Sequence, residues 1–322
     1  EALARRKQAG APPFTILCCD NLSANGRTVQ RIVTRFAALR SKDLAHWIED
    51  RAAFPSTMVD RIVPETTDAD RAAVSSALGM TDAWPVVTEP FTQWIVEDRF
   101  ASGRPDFAAA GVQLVSDVTP FEHMKLRLLN ASHSALAYLG YLAGYETIAD
   151  TMADPHFAAF AARVMQEAAV TLKMPEGTDL AAYQASLLGR FANPALHHRT
   201  WQIAMDGSQK LPQRLLAAMA DRLQQGLPID THALAVAGWM RYVTARDEQD
   251  KEIDVRDPIA GKLAAIAREA GPVAGRLAPA LLAVESVFGT LGTDPRVASA
   301  VTDALEQLYR LGARRVLAAD HV

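Results

Sequence analysis

The spacing of apolar residues changes along this chain of 322 residues. Up to about residue 116, short apolar runs typical of strands alternate with amphipathic stretches typical of helices. The predicted strands are PFTILCC, STMVDRIV, PFTQWIVED and GVQLVSD, and the predicted helices are TVQRIVTRFAALRS and residues 69–78. Strands and helices in mixed order are typical of an α/β sheet domain.

After Pro120 the pattern is almost entirely helical and rich in alanine and leucine. The predicted helices are residues 155–171, 180–191, 212–225, 230–244, 258–270, 279–288 and 294–319. The breaks between them combine a glycine at a helix end with a new cap or a proline. The pattern therefore predicts an α/β domain over residues 1–116, followed by an all-α domain over residues 117–322.

The composition argues against a nucleic-acid-binding protein, a membrane protein and a protein with a disulfide or a zinc site. Apolar residues make up 49% of the chain, and 33 basic against 37 acidic groups give a net charge of −4, so we expect no nucleic-acid partner. Polar or charged residues interrupt each apolar run before about 18 residues, which argues against a membrane span and favours a cytoplasmic protein. Cys18 and Cys19 are adjacent and have no spaced partners, so we expect neither a disulfide nor a zinc site.

The block DVTPFEHMKLRLLNASHSALAYLGYLAG, residues 117–144, carries Lys125, Asn130 and His133 on an otherwise apolar helix. At about 100° per residue, His133 falls on the side of both Asn130 and Lys125. The angle from Lys125 to Asn130 is wider, so one straight α-helix does not place all three on one stripe. Each also has an ordinary explanation: a lysine that reaches solvent, an asparagine that caps a neighbouring turn and a core histidine.

Together the three residue types suit carbonyl and alcohol chemistry. A lysine partly removed from water loses basicity, because burial penalises its charged form, and it can then exchange a proton near neutral pH. Amide N–H groups stabilise an oxygen that becomes negative. The block therefore predicts a site for proton transfer at an oxygen.

The block resembles the signature of the long-chain mannitol dehydrogenase family of polyol and sugar-acid oxidoreductases, whose members carry the pattern K-x-x-x-x-N-x-x-H. Lys125, Asn130 and His133 match that pattern. Further segments that resemble the family, in the same order along the chain, are CCDNLSANG, FPSTMVDRIVP, EPFTQWIVED, HRTWQIAMDGSQKLPQR and AGWMRY with the following DEQ and DP. The resemblance covers nearly the whole chain.

The resemblance implies that residues 1–116 are the later part of a Rossmann-type dinucleotide-binding domain and that residues 117–322 are a multi-helix substrate domain. Family members begin with a strand, a glycine-rich turn and a helix that bind a pyrophosphate. This chain opens with ALARRKQAGAPPFTILCCDN, which resembles a later part of that domain. We therefore expect a preceding stretch of about a small domain's length. NAD is the implied cofactor, NADP is left open, and we expect this polypeptide alone to bind a dinucleotide poorly.

The resemblance also assigns catalytic roles. Lys125 is implied to be the general acid and base, Asn21 and Asn130 to polarise the reacting oxygen, and His133 to orient a neighbouring hydroxyl. Asn21 follows the predicted strand PFTILCC, at the end where open α/β sheets bind ligands. The alternative for Asn21 is a helix N-cap or an Asx turn.

Two further positions match residues near the nicotinamide ring in the family. They are Val59 and Asp60, in TMVDRI. For Asp60 a salt bridge to Arg61 or Arg51 is the alternative.

The segment HHRTWQIAMDGSQKLPQR is rich in basic residues. Adjacent histidines on a helix point about 100° apart, so we do not expect His197 and His198 to bind a metal. Arg199 and Lys210 suit contacts with substrate hydroxyls or a carboxylate, because cations donate charge-assisted hydrogen bonds. For Arg214 we expect a solvated face.

Within the family, HRTWQIAMDGSQKLPQR, MPEGTDL and GYETIAD resemble the fructuronate reductases, also called D-mannonate oxidoreductases. The resemblance implies a metal-independent interconversion of alcohol and ketone at C2 of a six-carbon sugar acid or polyol, such as D-mannonate and D-fructuronate. Mannitol 2-dehydrogenase is the alternative, and a non-catalytic module that binds sugar acids is the alternative of another class. The sequence is compatible with a monomer and leaves the oligomeric state open.

Overall fold

The computed structural model describes residues 1–319, which form two compact units. The first unit contains Glu1–Val63 and Thr88–His123, and the second contains Pro64–Val87 and the described chain from Met124 onward. The segment Pro64–Val87 leaves the first unit after its first strand and returns before its second. The division of the chain at residue 116 stays a prediction, because the two compact units are interleaved along the sequence.

The first unit contains a three-stranded sheet. Its strands are β1 (Thr57–Asp60), β2 (Gln93–Glu97) and β3 (Gln113–Val115). The central strand β2 pairs antiparallel with β1 and parallel with β3. Ile95 and Val96 on β2 have no exposed surface, since apolar β-branched residues suit a covered central strand. These strands confirm three of the four runs that the apolar pattern predicts.

Three helices accompany this sheet: α1 (Ala2–Gln8), α2 (Asn25–Arg40) and α3 (Lys42–Arg51). Helix α3 is absent from the sequence predictions, although its cap signal is present in the chain. Ser41 accepts a hydrogen bond from the Leu44 N–H, and Asp43 lies in the first turn. A serine cap and an acidic first turn stabilise a helix N-terminus.

The prediction of a strand at PFTILCC is wrong. The Ile16 N–H donates to the Ala53 carbonyl at 2.9 Å. The Cys18 carbonyl accepts from the Thr57 hydroxyl at 2.7 Å and from the Asn25 amide at 3.1 Å. In a β-sheet, a backbone carbonyl such as that of Cys18 would accept a hydrogen bond from a neighbouring strand. Here side chains donate to it instead, and the segment does not form a regular strand.

The second unit is helical. Its helices, with α5 leading into them, are α4 (Asp68–Leu78), α5 (Thr119–Met124), α6 (Ala131–Leu142), α7 (Ile148–Ala153), α8 (Pro155–Ala169), α9 (Leu180–Phe191), α10 (Thr200–Ala204), α11 (Gly207–Leu211), α12 (Ala217–Gln224), α13 (Asp230–Tyr242), α14 (Ala260–Ala270), α15 (Ala274–Leu282), α16 (Glu285–Phe288), α17 (Pro295–Leu311) and α18 (Ala313–Ala319). Helix α6 packs against α8, α10 and α13 and is buried except at Tyr141, so it is the central helix of this unit.

Several predicted helices have other bounds in the structure. The helix predicted at 279–288 begins at Ala274, contains Pro279 in its interior and ends before α16. The helix predicted at 294–319 is divided into α17 and α18 by Gly312, whose φ is +79°. A Cβ at Gly312 would lie 2.7 Å from a Glu248 carboxylate oxygen. The break therefore favours glycine for its backbone angle, whereas a Cβ would only displace the carboxylate end of Glu248.

No single helix within residues 1–319 is long and apolar enough to cross a membrane. One bent pair, Ala274–Leu282 with Glu285–Thr293, meets that criterion on combined length and composition alone.

Candidate functional site

Residues Lys125–Asn130 form a π-helix between α5 and α6, which we call the first π-helix. The Ala131 N–H bonds to the Leu126 carbonyl five residues earlier. An α-helix would separate Lys125 and Asn130 by about 140°. Because a π-helix pairs residues i and i+5, it brings these two residues towards one face. This segment is not a straight α-helix, so the wide angle that a straight α-helix would impose does not apply to it.

Residues Pro212–Leu216 form a second π-helix between α11 and α12. The Ala217 N–H bonds to the Pro212 carbonyl, again five residues earlier. Proline lacks an N–H, so an α-helical ladder is interrupted where this segment begins. The first and second π-helices contact each other. Irregular turns of this kind are frequent at functional sites.

Lys125 is half-buried at the start of the first π-helix, and Asn130, 6% exposed, ends it. The side-chain Nδ2 of Asn130 is buried and has no hydrogen-bond partner in the described chain. An unpaired buried amide lowers stability by about 1–3 kcal/mol. Asn130 occupies the N-cap position of α6 but makes no side-chain cap hydrogen bond there. Its Nδ2 can therefore donate to an oxygen of a ligand.

His133, on α6, is 6% exposed. Its ring stacks on Phe191, with 4.8 Å between ring centroids, and meets the edge of His198 at 4.8 Å. Burial, followed by the positive charge of His198 and of nearby arginine and lysine side chains, holds the pKa of His133 well below its usual value. His133 is therefore neutral near pH 7 and can both donate and accept a hydrogen bond.

His197 and His198 lie in a turn, which corrects their expected place on a helix. His197 follows the short 3₁₀-helix Pro194–Leu196 and has φ of +44°. It is exposed, whereas His198 is half-buried. Burial, with a smaller effect of Lys210, lowers the pKa of His198 to about 4. Within residues 1–319, no group of three or more His, Cys, Asp or Glu side chains is arranged to hold a metal ion.

Lys210 lies at the end of α11, and its Nζ donates to the Ile203 carbonyl at 3.3 Å. Burial, with a smaller effect of the Arg214 charge, lowers its pKa to about 8, against the opposing effects of Asp206 and Asp257. The charge of Lys210 is among the causes that lower the pKa of His133 and of His198.

The expectation that Arg214 lies on a solvated face is wrong. Arg214 is half-buried on the second π-helix, and its Nη1 donates to the Ser134 hydroxyl at 2.9 Å. Its Nε is buried without a hydrogen-bond partner. Burial lowers the pKa of Arg214. A π-turn rotates residues relative to an α-helix, and Arg214 turns inward where the α-helical pattern expects it outside.

Arg199 is exposed at the N-terminus of α10, and its Nε lies 3.9 Å from a Glu146 carboxylate oxygen. It lines a cavity of about 580 Å³ together with Glu65, Asp70, Thr147 and Asp150. The lining of this cavity does not include Lys210 or His133. The two cations that sequence analysis grouped as substrate contacts therefore have different surroundings.

The first π-helix is also anchored by Arg127, which sequence analysis missed. Arg127 is 9% exposed, and its Nη1 donates to the Asp221 carboxylate at 2.6 Å and to the Thr171 hydroxyl at 2.6 Å. An arginine in an apolar helix is the signal that could have indicated a buried ion pair. These bonds join the first π-helix to residues that lie after α8 and on α12.

In the first unit, Asn21 is exposed and its N–H bonds to the Asp20 carboxylate at 2.8 Å. It is not the N-cap of α2, a position that Ala24 occupies. The neighbouring Asn25 was missed by sequence analysis. Asn25 is 2% exposed, donates to the Cys18 and Asp20 carbonyls and accepts from the Thr57 N–H. Asn25 thereby holds the loop that carries Asn21 against β1.

Val59 and Asp60 lie on β1 with opposite burial. Val59 is 36% exposed between buried neighbours, and Asp60 is 1% exposed. The guanidinium of Arg61, a suggested ion-pair partner of Asp60, donates to the carbonyls of Phe91 and Pro90. Val59 thus presents apolar surface outward, as a contact to a planar ring requires.

Comparison with known proteins places this arrangement in a family. Residues 1–109 match the family model of the mannitol dehydrogenase Rossmann domain, and residues 117–309 match that of the mannitol dehydrogenase C-terminal domain. D-mannonate oxidoreductase of Escherichia coli is 51% identical over 99% of this chain and 66% of its own length. A mannitol 2-dehydrogenase of Aspergillus fumigatus is 40% identical over 98% of this chain and 63% of its own length.

Among solved structures, the ternary complex of Pseudomonas fluorescens mannitol 2-dehydrogenase with NAD and D-mannitol has a TM-score of 0.89 at 37% identity. The match covers 99% of this chain and 65% of that one. The chain thus spans about two thirds of the length of these relatives. The predicted Rossmann-type domain with a helical C-terminal domain is confirmed, and the chain belongs to the mannitol dehydrogenase family.

Proposed function

We propose that this protein is a metal-independent, NAD-dependent oxidoreductase that interconverts a secondary alcohol and a ketone at C2 of a six-carbon sugar acid or polyol. The observation that carries the proposal is the first π-helix, which begins at Lys125, ends at Asn130 and is followed on α6 by a neutral His133. The Asn130 amide is buried with no partner in the described residues, so it is available to an oxygen of the substrate. Family membership supports the same reaction class.

The chemistry that NAD supplies when bound is the acceptance of a hydride from C2 in oxidation and its return in reduction. Lys125, when neutral, accepts the proton of the C2 hydroxyl in oxidation, and its ammonium form returns that proton in reduction. The Asn130 amide donates to the same oxygen as negative charge develops, and we assign the same role to Asn21. Neutral His133 hydrogen-bonds a neighbouring hydroxyl and orients the substrate.

Val59 fits a contact with the nicotinamide, because it exposes an apolar side chain on an otherwise buried strand. For Asp60 we retain a role near the cofactor. Arg199 and Lys210 are proposed substrate contacts, and Lys210 has the stronger support because it lies among the same charges as His133.

For the substrate we propose D-fructuronate and D-mannonate. The 51% identity to D-mannonate oxidoreductase supports this pair, as does the excess of basic side chains around His133. The alternative pair is fructose and mannitol. It is supported by the 37% identity to a mannitol 2-dehydrogenase whose solved complex contains D-mannitol.

The test is an assay of the full-length protein with NADH on fructuronate and fructose, with and without a chelator. We expect turnover that the chelator leaves unchanged and a higher kcat/KM for fructuronate. A preference for fructose would favour the mannitol dehydrogenase alternative. Tight binding of sugar acids without hydride transfer would favour the non-catalytic alternative.

A further inference from the structure

We propose that Arg214 binds the carboxylate of a sugar-acid substrate and thereby selects hexuronates over polyols. This inference rests on the proposed function, because it concerns the same site. In fructuronate the carboxylate is at C6, the end of the chain remote from the reacting C2 carbonyl. Arg214 would therefore hold the far end of the substrate while Lys125 and Asn130 meet the reacting oxygen.

The first argument is the hydrogen bonding of Arg214. A guanidinium has five N–H donors. Among residues 1–319, the only acceptor that Arg214 reaches is the Ser134 hydroxyl, at 2.9 Å. Ser134 is fully buried on α6 and follows His133 directly. The arginine is thus tied to the helix that carries the candidate site, with most of its donors open to a ligand.

The second argument is charge. Two other buried arginines of the second unit have a carboxylate partner: Arg127 pairs with Asp221 at 2.6 Å, and Arg222 lies 3.6 Å from Glu167. Arg214 forms no ion pair with any carboxylate of residues 1–319. A poorly solvated charge without a partner is destabilising. An anionic ligand would provide the partner that the fold itself does not.

Two acids of this region, Asp206 and Asp257, do not take that place. Asp206 acts on Arg214 only through its charge and accepts no hydrogen bond from it. Asp257 accepts bonds from the Ser208 N–H at 2.8 Å and the Ser208 hydroxyl at 2.6 Å. These bonds hold Asp257 at the start of α11, so its carboxylate is already engaged.

The third argument is the surrounding electrostatics. The positive charge of Arg214 is among the causes that lower the pKa of His133 and of Lys210. Lys210 and Arg214 therefore supply positive charge beside the neutral rings of His133 and His198 in a poorly solvated region. A carboxylate is the ligand group that matches this charge, because the planar guanidinium can grip its two oxygens with two hydrogen bonds.

The experiment compares fructuronate with fructose, which differ at C6 by a carboxylate in place of a hydroxymethyl group. We expect Arg214→Gln to lower kcat/KM for fructuronate by about 10- to 100-fold, chiefly through KM, and to change that for fructose by less than about threefold. The control Arg276→Gln, at an exposed arginine of α15, should change neither. Equal losses on both substrates would overturn the proposal and make Arg214 a structural residue.

Two further measurements cover the case in which Arg214→Gln does not fold. Arg214→Lys keeps the positive charge but loses the planar guanidinium that can donate two hydrogen bonds to one carboxylate. It should therefore lose activity on fructuronate only. Ligand-induced thermal shifts without NAD provide a readout that needs no turnover: D-mannonate should stabilise the wild-type protein more than D-mannitol does. Equal shifts would overturn the carboxylate site. Unequal shifts without turnover would keep the carboxylate site and overturn the proposed reaction.

Discussion

The two sides of the first π-helix differ in how their polar groups are satisfied. Arg127 is paired with Asp221 and Thr171. Asn130, three residues later, has a buried amide without a partner in the described chain. Buried polar groups that serve only the fold are normally hydrogen-bonded within it. The difference indicates that Arg127 stabilises the helix, and it is the reason why we propose that Asn130 contacts the substrate.

The largest effect is expected at Lys125, which we assign with Asn130 to substrate contact. Lys125→Ala should lower turnover at least about a hundredfold, because a general acid and base is lost. Lys262→Ala, at an exposed lysine of α14, is the matched control and should leave turnover unchanged. Steady-state kinetics over a range of pH measure both variants. Near-normal turnover of Lys125→Ala with an unaltered pH profile would remove the lysine from the mechanism.

The second prediction tests whether the unpaired amide serves the reaction. Asn130→Ala should lower kcat by about 10²–10³, the effect of one lost donor to a developing oxyanion, equivalent to about 2.7–4 kcal/mol. The melting temperature should change little, because the amide makes no hydrogen bond within the described residues. A large loss of stability with normal kcat would assign Asn130 to the fold. We expect the same kinetic effect of Asn21→Ala.

The third prediction concerns the paired side. Arg127→Gln should lower the free energy of unfolding by about 1–3 kcal/mol, because it removes charge-assisted bonds and leaves Asp221 without its partner. Chemical denaturation measures this change. Asp221→Asn tests the same pair from the partner side and should also destabilise. If Arg127→Gln lowered kcat strongly at unchanged stability, the assignment of Arg127 to the fold and of Asn130 to the substrate would be wrong.

The smallest expected effect is the pH dependence from His198. Its pKa in the folded protein is about 4, lower than in an unfolded chain, so folding favours the neutral ring. The stability this contributes is present above about pH 6.5 and is lost as the pH falls towards 4. We expect His198→Asn to reduce this acid destabilisation by on the order of 1 kcal/mol. Denaturation curves at pH 7 and pH 4.5 measure it.

The control is His197→Asn, which changes an exposed histidine beside it. It should leave the acid destabilisation as in the wild type. Identical pH dependence of the two variants would show that burial of His198 does not govern the effect.

Much of the helical architecture follows from local signals. Helix α9 (Leu180–Phe191) has the predicted bounds, because Asp179 caps it by accepting from the Ala182 N–H. Caps and apolar periodicity act within a few residues, so they can be recognised without the fold. The pattern Lys125, Asn130 and His133 is also visible in the sequence, and the family it indicates is confirmed. The roles of these residues stay predictions.

Other features depend on partners far away in the chain. Arg214 is turned towards Ser134, 80 residues earlier, and Arg127 towards Asp221, 94 residues later. PFTILCC remains outside the sheet because side chains of Asn25 and Thr57 bind its Cys18 carbonyl.

The sequence by itself therefore determined most of the helical pattern, the family and the set of polar residues in the central helical block. The tertiary structure decided which of these polar groups are hydrogen-bonded within the described residues and which are not. Two π-helices set that outcome, since one extra residue per turn rotates side chains relative to the α-helical pattern. Such a rotation depends on packing between segments, which local propensities do not contain.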